Sequence, residues 1–201
     1  MKIVIASNNK NKIIEIGAML KPLKAEVLSM KEAGCDIDIE ETGETLAENA
    51  AIKARAVRER VKGTVILSDD SGLEVEYLAK APGVYSARFA GPGCSYKDNN
   101  SKLLKLLKGL KPPDRKADFR TVVWVIMPDG REFRAEGRVN GFITSNMKGE
   151  NGFGYDPVFS LKPGSRTFAQ MSAEEKNGIS HRNLAVKAAL RIIKREFKAK
   201  V

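Results

Sequence analysis

Lys2-Ile3-Val4-Ile5-Ala6-Ser7-Asn8-Asn9-Lys10-Asn11-Lys12-Ile13-Ile14-Glu15-Ile16 is the stretch on which the fold turns. Residues 2–6 form a short, mostly apolar run, as expected of a strand buried on both faces. The polar segment from Ser7 to Lys12 breaks it, and Ile13, Ile16 and Leu20 then recur at helical spacing, flanked by Ile14 and Met19. Strand, polar loop and helix in that order open an α/β unit.

Working outward, a weak strand at residues 25–29 leads into an acidic loop from Asp36 to Glu44. Thr45-x-x-Glu48 has capping-box spacing, so the alanine-rich run to about Val61 is expected to be a helix with Leu46, Ala50, Ala54, Val57 and Val61 inward. Residues 64–67 read as another buried strand, ending in Ser68-Asp69-Asp70-Ser71-Gly72. Ala81-Pro82-Gly83 and Gly91-Pro92-Gly93 bracket a long loop. Leu103, Leu104, Leu106, Leu107 and Leu110 mark a helix closed by Pro112-Pro113. Residues 119–127 and 131–139 read as strands about the turn Pro128-Asp129-Gly130. A glycine-rich loop from Gly149 to Tyr155, a short strand at Val158-Phe159, a second capping box at Ser172-x-x-Glu175 and a helix over 183–197 complete the pattern.

A chain of 201 residues can form one large domain or two lobes sharing a core, and residues 1–201 are taken as a single domain. The composition, 42% hydrophobic and 30% charged, argues against disorder. The longest clean apolar run, 122–127, is too short for a bilayer, and the N-terminus lacks a signal-peptide core, so a cytoplasmic protein without membrane attachment is expected. Cys35 and Cys94 are expected to be free thiols, and a single histidine leaves no zinc site of the Cys/His type. The formal charge of +10 favours anionic partners: nucleic acid, acidic membrane or phosphorylated small molecules. Arg191, Lys194, Arg195, Lys198 and Lys200 fit an ordinary solvated basic surface equally well.

Four constellations carry chemistry. Ser7-x-Asn9-x-x-Lys12 stands at a helix N-terminus, where unpaired N–H groups and the helix dipole suit phosphate; an ordinary cap followed by a surface lysine is the alternative. Asp69-Asp70, after an apolar strand and beside Ser71, stand where open α/β sheets place ligands. With Glu40 and Glu41 in the acidic loop they offer the hard oxygens that Mg²⁺ prefers, though the glutamates read alone as solvated. Gly152-Phe153-Gly154-Tyr155-Asp156 lets backbone approach a planar ligand, with Phe153 or Tyr155 free to stack on a base and Asp156 an acceptor beside it. Lys176 supplies a compact charge and Arg182, after Ser180-His181, a planar fork of donors.

Together these segments resemble the inosine triphosphate pyrophosphatase (Ham1-like) family. The likeness rests on Ser7-x-Asn9-x-x-Lys12, Glu40 before Thr42-Gly43, Glu48-Asn49-Ala50 with Lys53, Asp69-Asp70-Ser71-Gly72-Leu73, Pro82-Gly83-Val84-Tyr85-Ser86-Ala87-Arg88, Phe153-Gly154-Tyr155-Asp156 and Ser180-His181-Arg182, running from Met1 to the last helix. One departure is Asn8, where many members have glycine; asparagine tolerates positive φ well enough to keep the loop. The resemblance implies an elongated mixed sheet with flanking helices, two lobes around a central cleft, and a homodimer. It implies hydrolysis of non-standard purine nucleoside triphosphates (ITP, dITP, XTP) to the monophosphate and pyrophosphate.

Mg²⁺, with Mn²⁺ a candidate substitute, would then be held by Glu40 and Asp70 with Asp69 near by. Asp70 would orient or deprotonate the attacking water, although a direct metal ligand makes a poorer base. Ser7, Asn8, Asn9, Lys12, Lys53, Ser71 and Lys176 would hold the triphosphate. Phe153, Gly154, Tyr155 and Asp156 would receive the purine, and His181 and Arg182 would donate to its 6-keto oxygen. Two rivals are a Maf-like nucleotide pyrophosphatase of other base preference and a basic nucleic-acid-binding protein. The second explains the charge but not carboxylates at a strand end, which repel phosphate unless a metal intervenes.

Overall fold

The computed structural model describes residues 1–198, so Lys200 lies outside the described residues. The chain divides into two compact units: Met1–Asp70, Thr121–Gly137 and His181–Val201 make the first, Ser71–Arg120 and Arg138–Ser180 the second. One six-stranded sheet runs in the order β2-β1-β3-β4-β5-β6. Its strands are β1 (Lys2–Ile5), β2 (Glu26–Ser29), β3 (Val65–Val75), β4 (Lys116–Ile126), β5 (Glu132–Ile143) and β6 (Phe159–Ser160).

In the first unit β1 pairs in parallel with β2 and β3, setting Ile3, Val4 and Ile5 opposite Val65, Ile66 and Leu67. Parallel neighbours need long crossovers, which α1 (Lys10–Leu20) and α2 (Leu46–Arg60) supply. Alternation along β1 then fills two layers. Ile3 and Ile5 pack with Ile16 and Leu20 of α1 and with Val186, Ala189 and Ile193 of α5 (His181–Lys198). Val4 and Ala6 pack on the other face with Ala54 and Val57 of α2 and with Cys35. The Thr45–Glu48 capping box forms as expected.

The second unit has an aromatic core. Phe119, Phe159 and Phe168 meet with ring centroids 4.6 to 6.1 Å apart, and Leu73, Leu103, Leu107 and Val158 surround them. Helix α3 (Tyr96–Leu106) begins earlier than its leucines suggest, at a Ser95–Asp98 capping box. Helix α4 (Ala173–Ile179) begins at the expected Ser172–Glu175 box. Both cysteines are free, and no helix of the described residues is long and apolar enough to cross a membrane.

Two local expectations are corrected. Strand β3 does not stop before the aspartates but continues through them to Val75, so Asp69 and Asp70 lie within a strand, not at its end. Asn8 does not need a left-handed conformation: among the described non-glycine residues only Lys24, Ala79 and Lys80 have positive φ.

Candidate active site

The first unit gathers its charges around β3. Ser68, Asp69 and Asp70 are buried there, and Ser68 Oγ donates to the Ala50 carbonyl at 2.5 Å, which ties the strand to α2 one turn before Lys53. Successive strand residues face opposite ways, so the two aspartates take largely different partners. Asp69 Oδ2 accepts from Lys12 Nζ at 3.1 Å and from Arg182 Nε at 3.4 Å. Asp70 Oδ1 accepts from Lys53 Nζ at 3.3 Å, with Lys12 Nζ 4.0 Å away. Lys53 also reaches Glu41 at 3.0 Å, and Arg182 Nη1 donates to Glu15. Three cations, Lys12, Lys53 and Arg182, thus face four carboxylates.

Burial and charge act on these groups in different proportions. Burial alone would raise the Asp69 carboxyl, but Lys12, Arg182 and Lys53 overrule it and hold the group well below the usual carboxylate range. Burial raises Asp70, and Lys53 and Lys12 only partly offset that. Lys12 is pushed down by burial, which Asp69 opposes and Lys53 reinforces. Burial also pushes Lys53 down, yet Asp70, Glu41 and Asp69 outweigh it and leave the ammonium raised.

Asp70 Oδ2 is buried without a hydrogen-bond donor. An unmatched buried acceptor costs roughly 1–3 kcal/mol, so this oxygen is suited to a ligand that the protein itself does not supply. Among the described residues no three or more acidic, His or Cys side chains converge to enclose a metal ion. Mg²⁺ does not need such a cage, since it takes one or two carboxylates and completes its shell with water and phosphate oxygens. The donor chemistry around Asp70 therefore fits that ion. Glu41, not Glu40, is the loop residue that joins Lys53 beside Asp70; Glu40 is exposed.

The helix start beside this cluster is capped from within. Asn9 Oδ1 accepts from the N–H groups of Asn11 and Lys12 at 3.0 and 3.3 Å, and Ser7 Oγ accepts from the Asn9 N–H at 3.2 Å. Asn8 donates to the Ile37 carbonyl at 3.1 Å. Lys12 is no surface lysine: it points from the first turn of α1 onto Asp69. His181 and Arg182 open α5 and are buried.

The second unit holds a separate, simpler arrangement. Asp156 Oδ2 accepts from Lys176 Nζ at 2.5 Å and from the Phe153 N–H at 2.9 Å, with both charged side chains buried. Gly152 adopts φ +74°, and a Cβ there would lie 2.1 Å from Asp156 Oδ2, so only glycine lets the loop wrap this carboxylate. Lys176 Nζ lies 5.0 Å from the centroid of the Phe153 ring, whose neighbour is Tyr96 at 6.0 Å. The Gly154 carbonyl is held by Asn100 Nδ2 at 2.8 Å. Of the two aromatics proposed to meet a base, Tyr155 is buried with its hydroxyl on the Ser86 carbonyl at 3.0 Å, and burial raises its pKa. Phe153 keeps part of its ring exposed. Ser71 is half-buried at the start of this unit's share of β3.

Sequence reasoning missed Glu15 and understated Glu41. Glu15 sits three residues beyond Lys12 on α1, a visible spacing, but nothing local announces a partner 167 positions away.

A sequence model of the Ham1 family matches residues 3–192. The dITP/XTP pyrophosphatase of Caldanaerobacter subterraneus is 50% identical over 186 residues, covering 92% of each chain. That of Bacillus subtilis is 42% identical over 190 residues, 94% of this chain and 96% of the other. Among solved structures, the Ham1 protein of Staphylococcus aureus superposes with TM-score 0.85 at 40% identity, covering 98% of this chain and all (100%) of that one. A HAM1 protein from Coxiella burnetii gives 0.83 at 36% identity, covering 97% and 99%. The chain belongs to the Ham1 family.

Proposed function

We propose that this chain hydrolyses ITP, dITP and XTP to the nucleoside monophosphate and pyrophosphate, with Mg²⁺ as cofactor. The observation that carries the reading is the Asp69–Asp70 cluster: buried carboxylates braced by three cations, one carboxylate keeping an oxygen without a donor. The names of the relatives, dITP/XTP pyrophosphatases, supply the substrate class. A protein built only to hold nucleic acid has no use for carboxylates at the centre of its buried cations.

The protein's own residues divide the work. Asp70, raised by burial, orients the attacking water and takes its proton. Asp69 stays ionised and fixes Arg182 in place. Lys12 and Lys53 turn toward the triphosphate when it arrives, exchanging carboxylate contacts for phosphate oxygens, with Ser7, Asn8, Asn9, Ser71 and Lys176 as further contacts. Asp70, with Glu40 or Glu41 and with Asp69 near by, would hold Mg²⁺, which would supply charge compensation for the phosphates.

At the base end Phe153 stacks on the purine beside Gly154 and Asp156, while Tyr155 supports the loop from beneath. His181 and Arg182 donate to the 6-keto oxygen. Adenine presents an amino group at that position, and a buried donor left unpaired can discriminate by roughly 10⁴ or more. Glu15 and Asp69 anchor the guanidinium of Arg182, and a fixed plane of donors tells keto from amino better than a mobile one. Arg182→Ala is expected to narrow the ITP/ATP ratio; an unchanged ratio removes Arg182 from recognition. The reading extends to a homodimer, which sedimentation equilibrium tests.

The deciding experiment measures pyrophosphate release from ITP, XTP, dITP, ATP and GTP, each with Mg²⁺ and with EDTA. Metal-dependent pyrophosphate from the first three, with ATP and GTP far slower, is the expected result. Orthophosphate as product would move the cleaved bond away from the α-phosphorus. No turnover of any of them would overturn the reading and return attention to a basic binding protein.

A further inference from the structure

The acidic loop that carries Glu40 and Glu41 has no secondary structure of its own, yet its end is gripped closely. Asn49, fully buried in the first turn of α2, accepts the Gly43 N–H on Oδ1 at 2.8 Å. The fit is tight: a Cβ on Gly43 would lie 2.7 Å from that oxygen and 2.6 Å from Glu48 Cβ. Glu48 takes the N–H groups of Glu44 and Thr45 at 2.7 and 3.0 Å, closing the loop onto the helix. Two residues before Gly43, Glu41 meets Lys53, which lies one turn beyond Asn49 on α2 and also binds Asp70. The amide of Asn49 is only half used, since Nδ2 is buried without a partner. An interior asparagine with an idle donor is a poor choice for stability, because an apolar side chain of similar shape would remove that penalty. Its carbonyl is what the site requires.

We propose that Asn49 is a positioning residue for metal binding: by holding Gly43, it keeps Glu41 on Lys53 beside Asp70 before any ligand arrives. The inference deepens the pyrophosphatase reading and rests on it. Removing the hold lets the loop swing, so a divalent ion meets Asp70 without its loop partner. Changes to groups that orient metal ligands typically weaken metal affinity by ~10- to 100-fold.

The test compares the intact wild-type chain with Asn49→Leu and Gly43→Ala. Binding of Mn²⁺ alone is followed by electron paramagnetic resonance, alongside thermal midpoints and the Mg²⁺ dependence of ITP turnover. Asn49→Leu is expected to weaken Mn²⁺ binding about tenfold at a nearly unchanged thermal midpoint. Its turnover deficit should shrink as Mg²⁺ is raised. Gly43→Ala, which pushes the loop off from the other side, should weaken Mn²⁺ in the same direction, and it decides the matter if Asn49→Leu does not fold. Mn²⁺ affinity unchanged in the folded variants would overturn the positioning role, as would a wild-type chain that turns over ITP but binds no Mn²⁺ alone. Failure of the wild-type chain to release pyrophosphate from any triphosphate is a different result and removes the reading beneath.

Discussion

The two buried charge clusters differ in how far their charges are matched. In the second unit the Lys176 ammonium meets the Asp156 carboxylate, and the same Asp156 oxygen also takes the Phe153 N–H. In the first unit three cations are spread over four carboxylates, and an oxygen of Asp70 is left without a donor. A matched pair gains little from a further cation, and this one holds the Phe153 loop in shape. An unmatched set with a surplus carboxylate gains from an added divalent cation and polyanion together.

The largest expected effect tests the open cluster. Asp70→Asn should lower pyrophosphate release from dITP and XTP by about 10³-fold. Its thermal midpoint should stay at or above that of the wild type, because a buried carboxylate disfavoured by burial has been removed. Near-wild-type turnover with a native fold would mean that the first unit's cluster is not the reaction centre.

The Lys176–Asp156 pair should behave the opposite way. Lys176→Met takes the ammonium away from the buried Asp156 carboxylate, and should cost about 3–5 kcal/mol in urea unfolding. Adding Asp156→Asn should restore much of that loss. A small effect of the single change would show that the pair is not the brace described here.

Acid stability sharpens the contrast within the open cluster. Asp69 is depressed on folding, so its contribution is present above the ordinary value of 3.8 and is lost as pH falls toward its folded value. Asp70 is raised, so its contribution is present below 3.8 and is lost as pH climbs through its folded value. The two slopes oppose each other. Removing one by Asp70→Asn should make the loss of stability between about pH 6 and pH 3 steeper than in the wild type. An equal or shallower loss, measured by denaturant unfolding at each pH, would reverse the assignment of the two aspartates.

The smallest effects divide the two aromatics. Phe153→Ala should raise KM for ITP about tenfold, since stacking on a base is worth ~1–3 kcal/mol. Tyr155→Phe should cost only about 1 kcal/mol of stability through its lost hydrogen bond to Ser86, and should leave substrate choice alone. The reverse pattern would place Tyr155, not Phe153, against the base.

Much of this was legible along the chain, and the parts that were not share a cause. The β1–α1 opening, three of the helix starts and the hairpin about Pro128-Asp129-Gly130 are local: capping boxes, helical spacing and turn residues act over a few positions. Lys12 at a helix start and Asp69 and Asp70 after an apolar strand are also visible as candidates, whereas Lys53 comes only with the family resemblance. The length of β3 was misjudged because two aspartates look like a strand's end; paired with buried cations they are tolerated inside it. Glu15 has no local signal, and neither does the pairing of Glu41 with Lys53. The partner that decides each glutamate, Arg182 or Lys53, is set by helix packing and not by neighbours in sequence.

By itself, then, the sequence determined the α/β class, the register of apolar residues on β1 and α2, and which residues bring charge next to the apolar strands. Those properties follow from periodicity and side-chain type, which are fixed before folding. Only the tertiary structure decided which carboxylate meets which cation, that Tyr155 is buried while Phe153 is half-buried, and that Asp70 keeps an oxygen unmatched. Charge pairing and burial depend on distances of a few ångströms between segments far apart in the chain, and packing alone sets those distances.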